Sequence, residues 1–497
     1  MNPLAWKRCA PRLVTTLAAM AALLVAVGCG SGGGLIRPLP GGYSKASLKG
    51  QYVIAQTGIG AVQPSAGIGT APFSETIVFT ADGNGNLAIP VDDFNQSATA
   101  YTLPSALNGT YSISSDGTGS LRFNFNTPTN YAITMIDDSH FYVIEQDLFA
   151  TASGFGEKQD TTAFTAAPSG NFVFKAHNLS LSSRVGGITI SGGAINGTED
   201  SLSLGTLSSS RSLATSVALS APNSATGRGT FTLNDGTSFS YYVVNSSKFH
   251  FMSSTGSLEI GQAEAQTGGP FSVATLAAGT SYVFGSSGDT SFPLGIHSAG
   301  VFTTDGNGNI TAGAVDYVQD TTVNSNLTVS GGSYTLPANG GGRGTINLTL
   351  SGGTISPQIF WMVNGTRAYF LADSTAAVED GTFSLQQGTP FSSIGSQAAF
   401  VMDGFDTTYK DRVGAFQPTS SGFNWKQAAN AFDVNLGGLL SSLGTNGTAQ
   451  VSSNGRVAVT VNGVTSSLVF YLSGPGSGFM VQEDADIGGA FSQQATQ

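Results

Sequence analysis

Two short loops carry oxygen-bearing side chains at a spacing that suits a hard cation. Each loop has an Asp followed by two Asn at alternate positions: Asp82, Asn84 and Asn86 in the first, Asp305, Asn307 and Asn309 in the second. Carboxylate and amide oxygens arranged in this way are typical calcium ligands. The two loops are therefore the weak metal candidates of this sequence.

The same residues also suit a plain hairpin. Asp93 and Asp316 follow the first Asp of each loop by eleven residues, where an EF-hand would place its closing carboxylate. However, position six is Leu87 or Ile310 instead of the glycine that the sharp EF-hand turn needs. Asp, Asn and Gly favour tight hairpin turns without any metal. We therefore expect two hairpins and no metal site.

The four histidines, His140, His177, His250 and His297, lack the spacings of zinc ligands. His140 and His250 fall at or within the seventh strand of their repeats, where we expect an edge or rim position.

No other catalytic pattern is found. The chain has no G-x-S-x-G motif, and its glycine-rich segments are not followed by the Lys-Ser/Thr pair of a phosphate-binding loop. The pairs Asp92-Asp93 and Asp137-Asp138 are adjacent, so on a strand their side chains would point to opposite faces. They are expected in turns or at a rim. These patterns predict a non-enzymatic protein without a cofactor.

The charge balance excludes nucleic acid as a partner. The formal net charge is −11, and the first 28 residues contain three cations and no acid, which leaves the rest at −14. Such a chain cannot neutralise a phosphate backbone. The only two cysteines, Cys9 and Cys29, lie near the N-terminus, so the remaining chain can form no disulfide.

The N-terminus has the pattern of an export signal. Lys7, Arg8 and Arg12 precede a mostly apolar run over residues 13–27, which is too short for an untilted bilayer span of ~20 residues. The sequence Ala26-Val27-Gly28-Cys29 then resembles the lipobox of bacterial lipoproteins, although Ala26 stands where that family prefers Leu. The resemblance implies removal of residues 1–28 and lipidation of Cys29, which becomes the membrane anchor.

The residues after Cys29 favour a tether and an outer-membrane address. The residues directly after Cys29 are rich in Gly and Ser, which predicts a flexible tether over residues 29–46. Gly30 is not an acidic retention signal, so the outer membrane is favoured if the cell has two membranes.

Four related repeats follow. A strand with a leading glycine recurs at Gly50, Gly170, Gly279 and Gly395, at intervals of 120, 109 and 116 residues. Each repeat ends with two aromatic-rich strands and a last strand that finishes in glutamine, for which Gln159, Gln262, Gln386 and Gln493 are the candidates. The regular period indicates duplication.

The third repeat shows the strands most clearly. Polar–apolar alternation and turn residues predict eight strands near residues 281–285, 295–304, 308–317, 328–336, 343–350, 356–364, 367–373 and 377–386. Strands joined by short turns pair as an antiparallel meander, and closure into a barrel would remove both edges. In the fourth repeat, residues 423–445 could hold one short helical turn at Trp425–Phe432.

The fold class that follows is all-β, with tandem eight-stranded, antiparallel, barrel-like modules. The alternative is an array of immunoglobulin-like sandwiches. The expected organisation is a signal peptide at 1–28, a tether at 29–46 and modules at 47–160, 168–265, 276–388 and 395–494. The pattern is similar to small lipocalin-like or streptavidin-like barrels, and to Gly-rich tandem-repeat lipoproteins of soil bacteria.

Aromatic residues concentrate on the sixth and seventh strands. We expect alternate ones to fill the cores and the others to cover the surface, unless the inward ones line a cavity. The set is Phe141, Tyr142, Tyr241, Tyr242, Phe249, Phe251, Phe360, Trp361, Tyr369, Phe370, Phe470, Tyr471 and Phe479.

These features predict a cell-envelope lipoprotein that binds a surface polymer or protein, or serves a structural or adhesive role. The alternative is a carrier that holds a small apolar ligand inside one barrel.

Overall fold

The computed structural model describes residues 42–62, 69–96, 99–103, 107–125, 128–178, 181–255, 257–291, 294–352, 355–374, 377–406, 408–419, 422–433, 437–464 and 467–495. Residues 37–497 form one compact unit. The described part consists of strands and three short 3-10 helices, Lys45–Ser47, Thr161–Thr165 and Val273–Thr275. None of its helices is long and apolar enough to cross a membrane.

The chain forms four closed antiparallel barrels in succession. Barrel 1 contains β1 (Lys49–Val62), β2 (Gly69–Asp82), β3 (Asn86–Gln96), β4 (Thr99–Leu103), β5 (Leu107–Ile113), β6 (Thr118–Phe123), β7 (Thr129–Met135), β8 (His140–Gln146) and β9 (Ala150–Lys158). Here β3 pairs with β4 along its second half and with β5 along its first half. The short β4 and β5 therefore occupy the place of one fourth strand, and the ring has eight positions.

The other three barrels have eight strands each. Barrel 2 contains β10 (Gly170–Asn178), β11 (Ser182–Ser191), β12 (Ala194–Ser203), β13 (Thr206–Val217), β14 (Arg228–Leu233), β15 (Ser238–Asn245), β16 (Lys248–Ser253) and β17 (Glu259–Ala265). Barrel 3 contains β18 (Thr280–Ser291), β19 (Leu294–Thr304), β20 (Asn309–Gln319), β21 (Thr322–Thr335), β22 (Arg343–Leu350), β23 (Gln358–Asn364), β24 (Arg367–Ala372) and β25 (Val378–Leu385). Barrel 4 contains β26 (Ala398–Phe405), β27 (Tyr409–Thr419), β28 (Gly422–Asp433), β29 (Gly437–Val451), β30 (Arg456–Val461), β31 (Leu468–Gly474), β32 (Ser477–Gln482) and β33 (Asp486–Gln493).

The predicted eight-stranded meander is confirmed, and the sandwich alternative is wrong. In each barrel the first strand pairs with the last, as β18 does with β25, which leaves no open edge. The third repeat has all eight predicted strands. Its first strand continues to Ser291 and its fourth begins at Thr322, because polar residues in both segments still pair with their neighbours.

The helical turn expected at Trp425–Phe432 is wrong, because this segment lies inside β28. The strand pairs along its length with β27 on one side and β29 on the other. Phe423 and Trp425 alternate into the barrel, where Trp425 stacks on Phe400 with ring centroids 4.2 Å apart. Pairing on both sides thus overrides the helical preference of an alanine-containing stretch.

The four barrels form a ring. The outer face of strands one to three of each barrel packs against strands six and seven of the next. The apolar contacts are Val53 and Val78 with Tyr242 between barrels 1 and 2, Val173 and Val185 with Trp361 between barrels 2 and 3, Val283 and Val301 with Tyr471 between barrels 3 and 4, and Ala399 and Val413 with Tyr142 between barrels 4 and 1. The same head-to-tail contact occurs four times, and the contact between barrels 4 and 1 closes the ring.

The predicted division of the aromatic residues is half correct. Phe141, Phe251, Phe370 and others fill the barrels as expected. The alternate residues do not cover an open surface. Tyr142, Tyr242, Trp361 and Tyr471 are buried between neighbouring barrels instead. Each barrel therefore has an inner apolar core and an outer apolar face.

A glutamine fastens each barrel to the next. The side-chain amide of Gln159 donates to the carbonyls of Thr226 (3.3 Å) and Val243 (2.6 Å) in barrel 2. Gln266, Gln386 and Gln494 make the equivalent pair of bonds. The strand end expected at Gln262 is wrong, since β17 continues to Ala265, whereas β33 does end at Gln493 as expected.

The fourth glutamine closes the ring between the two ends of the body. Gln494 donates to the carbonyls of Asp116 (3.1 Å) and Met135 (2.7 Å) in barrel 1. Beside it, the hydroxyl of Tyr43 donates to the carbonyl of Ile136 at 2.7 Å. Elsewhere a continuous linker crosses the interface, but here the crossing is non-covalent.

Candidate functional site

The two DGNGN loops are hairpin turns built around one carboxylate. Oδ1 of Asp82 accepts the backbone N–H groups of Asn84 (2.7 Å), Gly85 (3.0 Å) and Asn86 (3.0 Å), and Oδ2 accepts the amide of Asn86 (2.7 Å). These bonds, first that of the Asn86 side chain, lower the pKa of Asp82 to about 2. Gly83 and Gly85 have φ values of 84° and 113°, which glycine adopts most easily.

The second loop repeats this arrangement around Asp305. Its carboxylate accepts the N–H groups of Asn307 (2.7 Å) and Asn309 (3.0 Å) and the side-chain amide of Asn309 (2.7 Å). Each turn therefore uses the two carboxylate oxygens of the Asp that the calcium hypothesis required. Across the described residues, no group of three or more His, Asp or Glu is arranged to hold a metal ion.

Asp93 and Asp316, the proposed closing carboxylates, belong to a different structure. Each lies on the outer face of its barrel and binds the next barrel. Nε of Arg228 donates to Asp93 at 2.6 Å, and the Tyr242 hydroxyl also donates to it. The rim position expected for the pair Asp92-Asp93 is thus wrong, because both are buried. Asp137 and Asp138 lie in a turn as expected.

The same three-part contact occurs at three interfaces, and we call it the Asp–Arg–aromatic triad. Between barrels 2 and 3, Arg343 donates to Asp200 through Nε (2.9 Å) and Nη2 (2.7 Å), and Nε1 of Trp361 donates to it at 2.9 Å. Between barrels 3 and 4, the equivalent residues are Asp316, Arg456 and Tyr471. The two-point Arg contact fixes the orientation of each barrel on the next.

The closing interface between barrels 4 and 1 lacks the whole triad. Thr118 pairs with Thr134 across β6 and β7 as Arg228 pairs with Tyr242 across β14 and β15. Ala428 pairs with Val413 as Asp200 pairs with Val185. Since an unpaired buried charge is costly, removal of one member favours removal of the others.

Other polar contacts span the closing interface. The Asn430 amide donates to the carbonyls of Asp147 (3.0 Å) and Ala150 (2.8 Å), and Lys426 pairs with Asp116 at 2.7 Å. Because the Asn430 amide is neutral, the junction between barrels 4 and 1 depends less on ion pairs than the other three barrel junctions do.

The histidines contact carboxylates at the barrel junctions. His250 of barrel 2 lies 2.6 Å from Glu157 of barrel 1, and His297 of barrel 3 lies 2.8 Å from Asp486 of barrel 4. The rim position expected for His250 is wrong, since only 4 % of it is exposed. His140 is half-buried and contacts Asp137 of its own turn at 2.9 Å.

His177 forms a constellation that the sequence did not reveal. Its Nδ1 lies 2.8 Å from Oγ of Ser183 and 3.0 Å from Asp380, and its Nε2 lies 3.1 Å from Asp289. This connectivity resembles that of an activated serine. The signal could not be found from spacing, because Asp289 and Asp380 belong to the next barrel.

The charge state of His177 argues against nucleophilic chemistry. Burial alone would lower its pKa, but the hydrogen bonds to Asp289 and Asp380 outweigh burial and raise the pKa to about 10. A protonated imidazole cannot accept the serine proton. In addition, Ser183 is only 1 % exposed and donates to Asp380 at 2.8 Å. The cluster therefore acts as an ionic link between barrels 2 and 3.

The barrel interiors leave little room. Barrel 2 contains a half-open cavity of about 30 Å³ lined by aromatic residues that include Phe174, Phe231 and Phe251, together with Arg184 and Glu259. A water molecule needs about 10–15 Å³ by this measure, so the cavity has room for a few waters at most.

The interior of barrel 1 contains a cluster of buried carboxyl groups. Glu75, Asp92 and Glu145 are all buried, and Gln56 donates to Glu75. Burial raises the pKa of Glu75 to about 7 and, aided by the neighbouring carboxylates, raises the pKa of Asp92 and Glu145 as well. Sharing of protons keeps this acidic interior stable at low pH.

Cys29 lies outside the described residues, as does the tether up to residue 41. The lipidation site therefore remains a prediction from the sequence pattern.

Comparison with known proteins does not assign the chain to a family. No family model matches the sequence, and no curated protein matches it. A solved structure of intact Ap-TbpB with its N and C lobes is 7% identical, covers 67% of this chain and 76% of its own, and has a TM-score of 0.18. A structure of CghA with Sch210972 is 9% identical, covers 90% of both chains and has a TM-score of 0.14. At these scores neither likeness bears on function.

Proposed function

We propose that this protein is an exported, lipid-anchored component of the cell envelope whose four-barrel ring is a rigid, non-enzymatic binding or structural body. The proposal rests on the contacts of the side chains that could otherwise do chemistry, because these side chains bind neighbouring barrels to each other. His177, Asp93, Asp200 and Asp316 each hold neighbouring barrels together. Such groups stabilise an assembly and offer no reactive centre to a substrate.

The alternative, a carrier of an apolar ligand, has less support. Apolar side chains pack most of each barrel interior, buried carboxyl groups fill part of barrel 1, and the cavity in barrel 2 measures about 30 Å³. Ligand pockets are usually about 300–1,000 Å³. Binding is therefore assigned to the outside of the ring.

The ring also changes how binding would occur. Four modules on flexible links could reach separate sites independently, with an avidity that depends on linker length. Here apolar contacts, glutamine bonds and ion pairs connect each barrel to two neighbours. A partner would instead meet one rigid surface that contains contributions from several barrels.

The anchor hypothesis can be tested with the full-length precursor expressed in a bacterium supplied with labelled palmitate. The wild type should incorporate label and fractionate with membranes, whereas Cys29→Ser should do neither. Cys9→Ser is a matched control, because Cys9 lies before the expected cleavage point, and it should label normally. Labelling of Cys29→Ser would refute the anchor.

The non-carrier proposal is tested by native mass spectrometry of the protein extracted from its own membrane. We expect the native mass to equal that of the lipidated chain. An additional mass that disappears on denaturation would favour the carrier.

A further inference from the structure

Exposed large apolar side chains are concentrated at one end of the ring. In an up-and-down barrel, alternate turns lie at opposite ends. The turns that follow the first, third, fifth and seventh strands of each barrel share one end, and we call it the distal end. The chain enters and leaves each barrel at the other end. Of the eight exposed large apolar residues in the described part of the chain, seven lie at distal-end turns or within the first four residues of strands that begin there, and Val217 lies at the far end of such a strand.

The third-to-fourth-strand hairpin contributes to this set in every barrel. Tyr101, Leu204 and Val323 lie on this hairpin in barrels 1 to 3, and Leu439 and Leu440 lie on it in barrel 4. Leu148 and Phe149 form the turn between the last two strands of barrel 1. Single exposed apolar residues are common, but their recurrence at one hairpin in four repeats is not expected from chance alone.

Four of these residues lie close together at the distal end of the closing interface, where the consecutive Leu439 and Leu440 leave opposite faces of β29. Leu148, Phe149, Leu439 and Leu440 are exposed by 54%, 58%, 59% and 50%. The N–H of Gly438 donates to the carbonyl of Leu148 at 3.0 Å, which brings the two pairs together. We call these four residues the seam patch.

The distal-end turns of the four barrels are acidic. The described residues of the distal-end turns include seven carboxylates and neither lysine nor arginine: Asp147, Asp235, Asp320, Asp373, Asp406, Glu483 and Asp484. Three of these carboxylates pair with cations on nearby strands: Asp406 with Lys410, Asp235 with Arg184 and Glu483 with Arg456. An apolar patch within such a field is complementary to a partner that combines apolar groups with positive charge.

The opposite end receives the N-terminal segment. The N–H of Tyr43 donates to the carbonyl of Ser115, which lies in a turn of that end. If Cys29 carries the lipid, the fourteen Cα–Cα steps from Cys29 to Tyr43 can span about 50 Å at full extension. The seam patch is then on the end away from the point where the anchor joins the body, and its negative surroundings disfavour contact with anionic lipid.

We propose that the seam patch at the distal end is a docking surface for a cationic amphipathic polypeptide. This inference deepens the proposed binding role and rests on it. The apolar side of the partner would cover Leu148, Phe149, Leu439 and Leu440, and its lysine or arginine residues would face the surrounding carboxylates. Such an interface predicts affinity that falls with salt, because the charge contribution is exposed and screened.

The test uses the mature protein and a fluorescent amphipathic peptide composed of Leu and Lys. Fluorescence anisotropy should detect saturable binding that weakens in salt. The Leu148→Ser/Phe149→Ser and Leu439→Ser/Leu440→Ser variants should each bind at least about tenfold more weakly, the cost of losing two apolar contacts. Val217→Ser is the matched control, since Val217 is 59% exposed at the other end, and it should bind as the wild type does.

Three results would overturn the proposal: no binding by the wild type, equal binding by both seam variants, or equal binding of a Leu and Glu peptide with the same Leu positions. Binding to neutral phosphatidylcholine vesicles that is lost in the seam variants would reassign the patch to a membrane. Melting curves of the variants check that the ring is intact. Successful labelling of Cys29 with failed peptide binding would reject this docking site and leave the anchored envelope role standing.

Discussion

Replacement of Asp200 by Asn should separate the contribution of the triad from that of apolar packing. Asp200 is fully buried and accepts hydrogen bonds from Arg343 (2.9 and 2.7 Å), Trp361 (2.9 Å) and the N–H of Ser210 (3.0 Å). Asn has nearly the same shape but offers one acceptor oxygen, and its amide would face the donors of Arg343. The substitution therefore leaves a guanidinium without its counter-charge.

The expected cost is about 3 kcal/mol, at the lower end of the range for breaking a buried pair, because the Arg343 side chain is 26% exposed. This equals roughly a hundredfold change in the unfolding equilibrium. Urea unfolding followed by tryptophan fluorescence is the suitable assay. Trp361 lies in the affected interface and Trp425 lies inside barrel 4, so a loss confined to the interface should appear first in the Trp361 signal of a Trp425→Phe background.

A double-mutant cycle with Arg343→Met completes the experiment. Met keeps an apolar stem and removes the charge that Asp200→Asn leaves unpaired. The double variant should therefore be more stable than the sum of the single losses predicts, by about 1–3 kcal/mol. Asp373→Asn is a control at an exposed carboxylate and should change stability by no more than about 0.5 kcal/mol. Additive losses, or an Asp200→Asn variant as stable as the wild type, would contradict the role assigned to the triad.

Two further predictions concern the ring junction and the acidic interior. Gln494→Ala removes two hydrogen bonds at the non-covalent closure of the ring. Limited proteolysis should therefore release C-terminal fragments from this variant faster than from Gln386→Ala, because a linker also crosses the interface that Gln386 joins. Equal rates of release from the two variants would contradict this. Because the folded-state pKa of Glu75 is raised from 4.5 to about 7, the native state binds the extra proton and stability should fall as pH rises through this interval. Glu75→Gln should reduce that fall in melting temperature, and an unchanged pH profile would contradict the assignment.

The pH response of the inter-barrel histidines has a different window. Interactions with Asp486 and Asp403 raise the pKa of His297 to about 10 although burial opposes this. A raised histidine pKa adds stability that is complete below the unfolded value near 6.5 and is lost as pH rises through 10. The loss from Glu75 therefore falls between pH 4.5 and about 7, and most of the loss from His297 falls above that, between pH 6.5 and about 10.

The amino-acid pattern alone was sufficient to predict the barrel. Alternation specifies which side chains face a core, turn residues specify where strands end, and the need to eliminate edges favours closure. These are local rules, so the eight strands of the third repeat could be located with small errors. The DGNGN loops were also interpreted correctly as hairpins, because an Asx turn depends on residues within four positions of one another.

The ring was decided by the tertiary structure. The outward-facing Tyr242, Trp361 and Tyr471 resemble surface residues within their own strands, and only the next barrel gives them a buried environment. Asp200 and Arg343 are separated by 143 positions, so their pairing has no local signal. Strand patterns report what each barrel buries within itself, whereas contacts between barrels depend on matching surfaces from distant segments. For that reason the sequence predicted separate modules, and the structure joined them into one closed body.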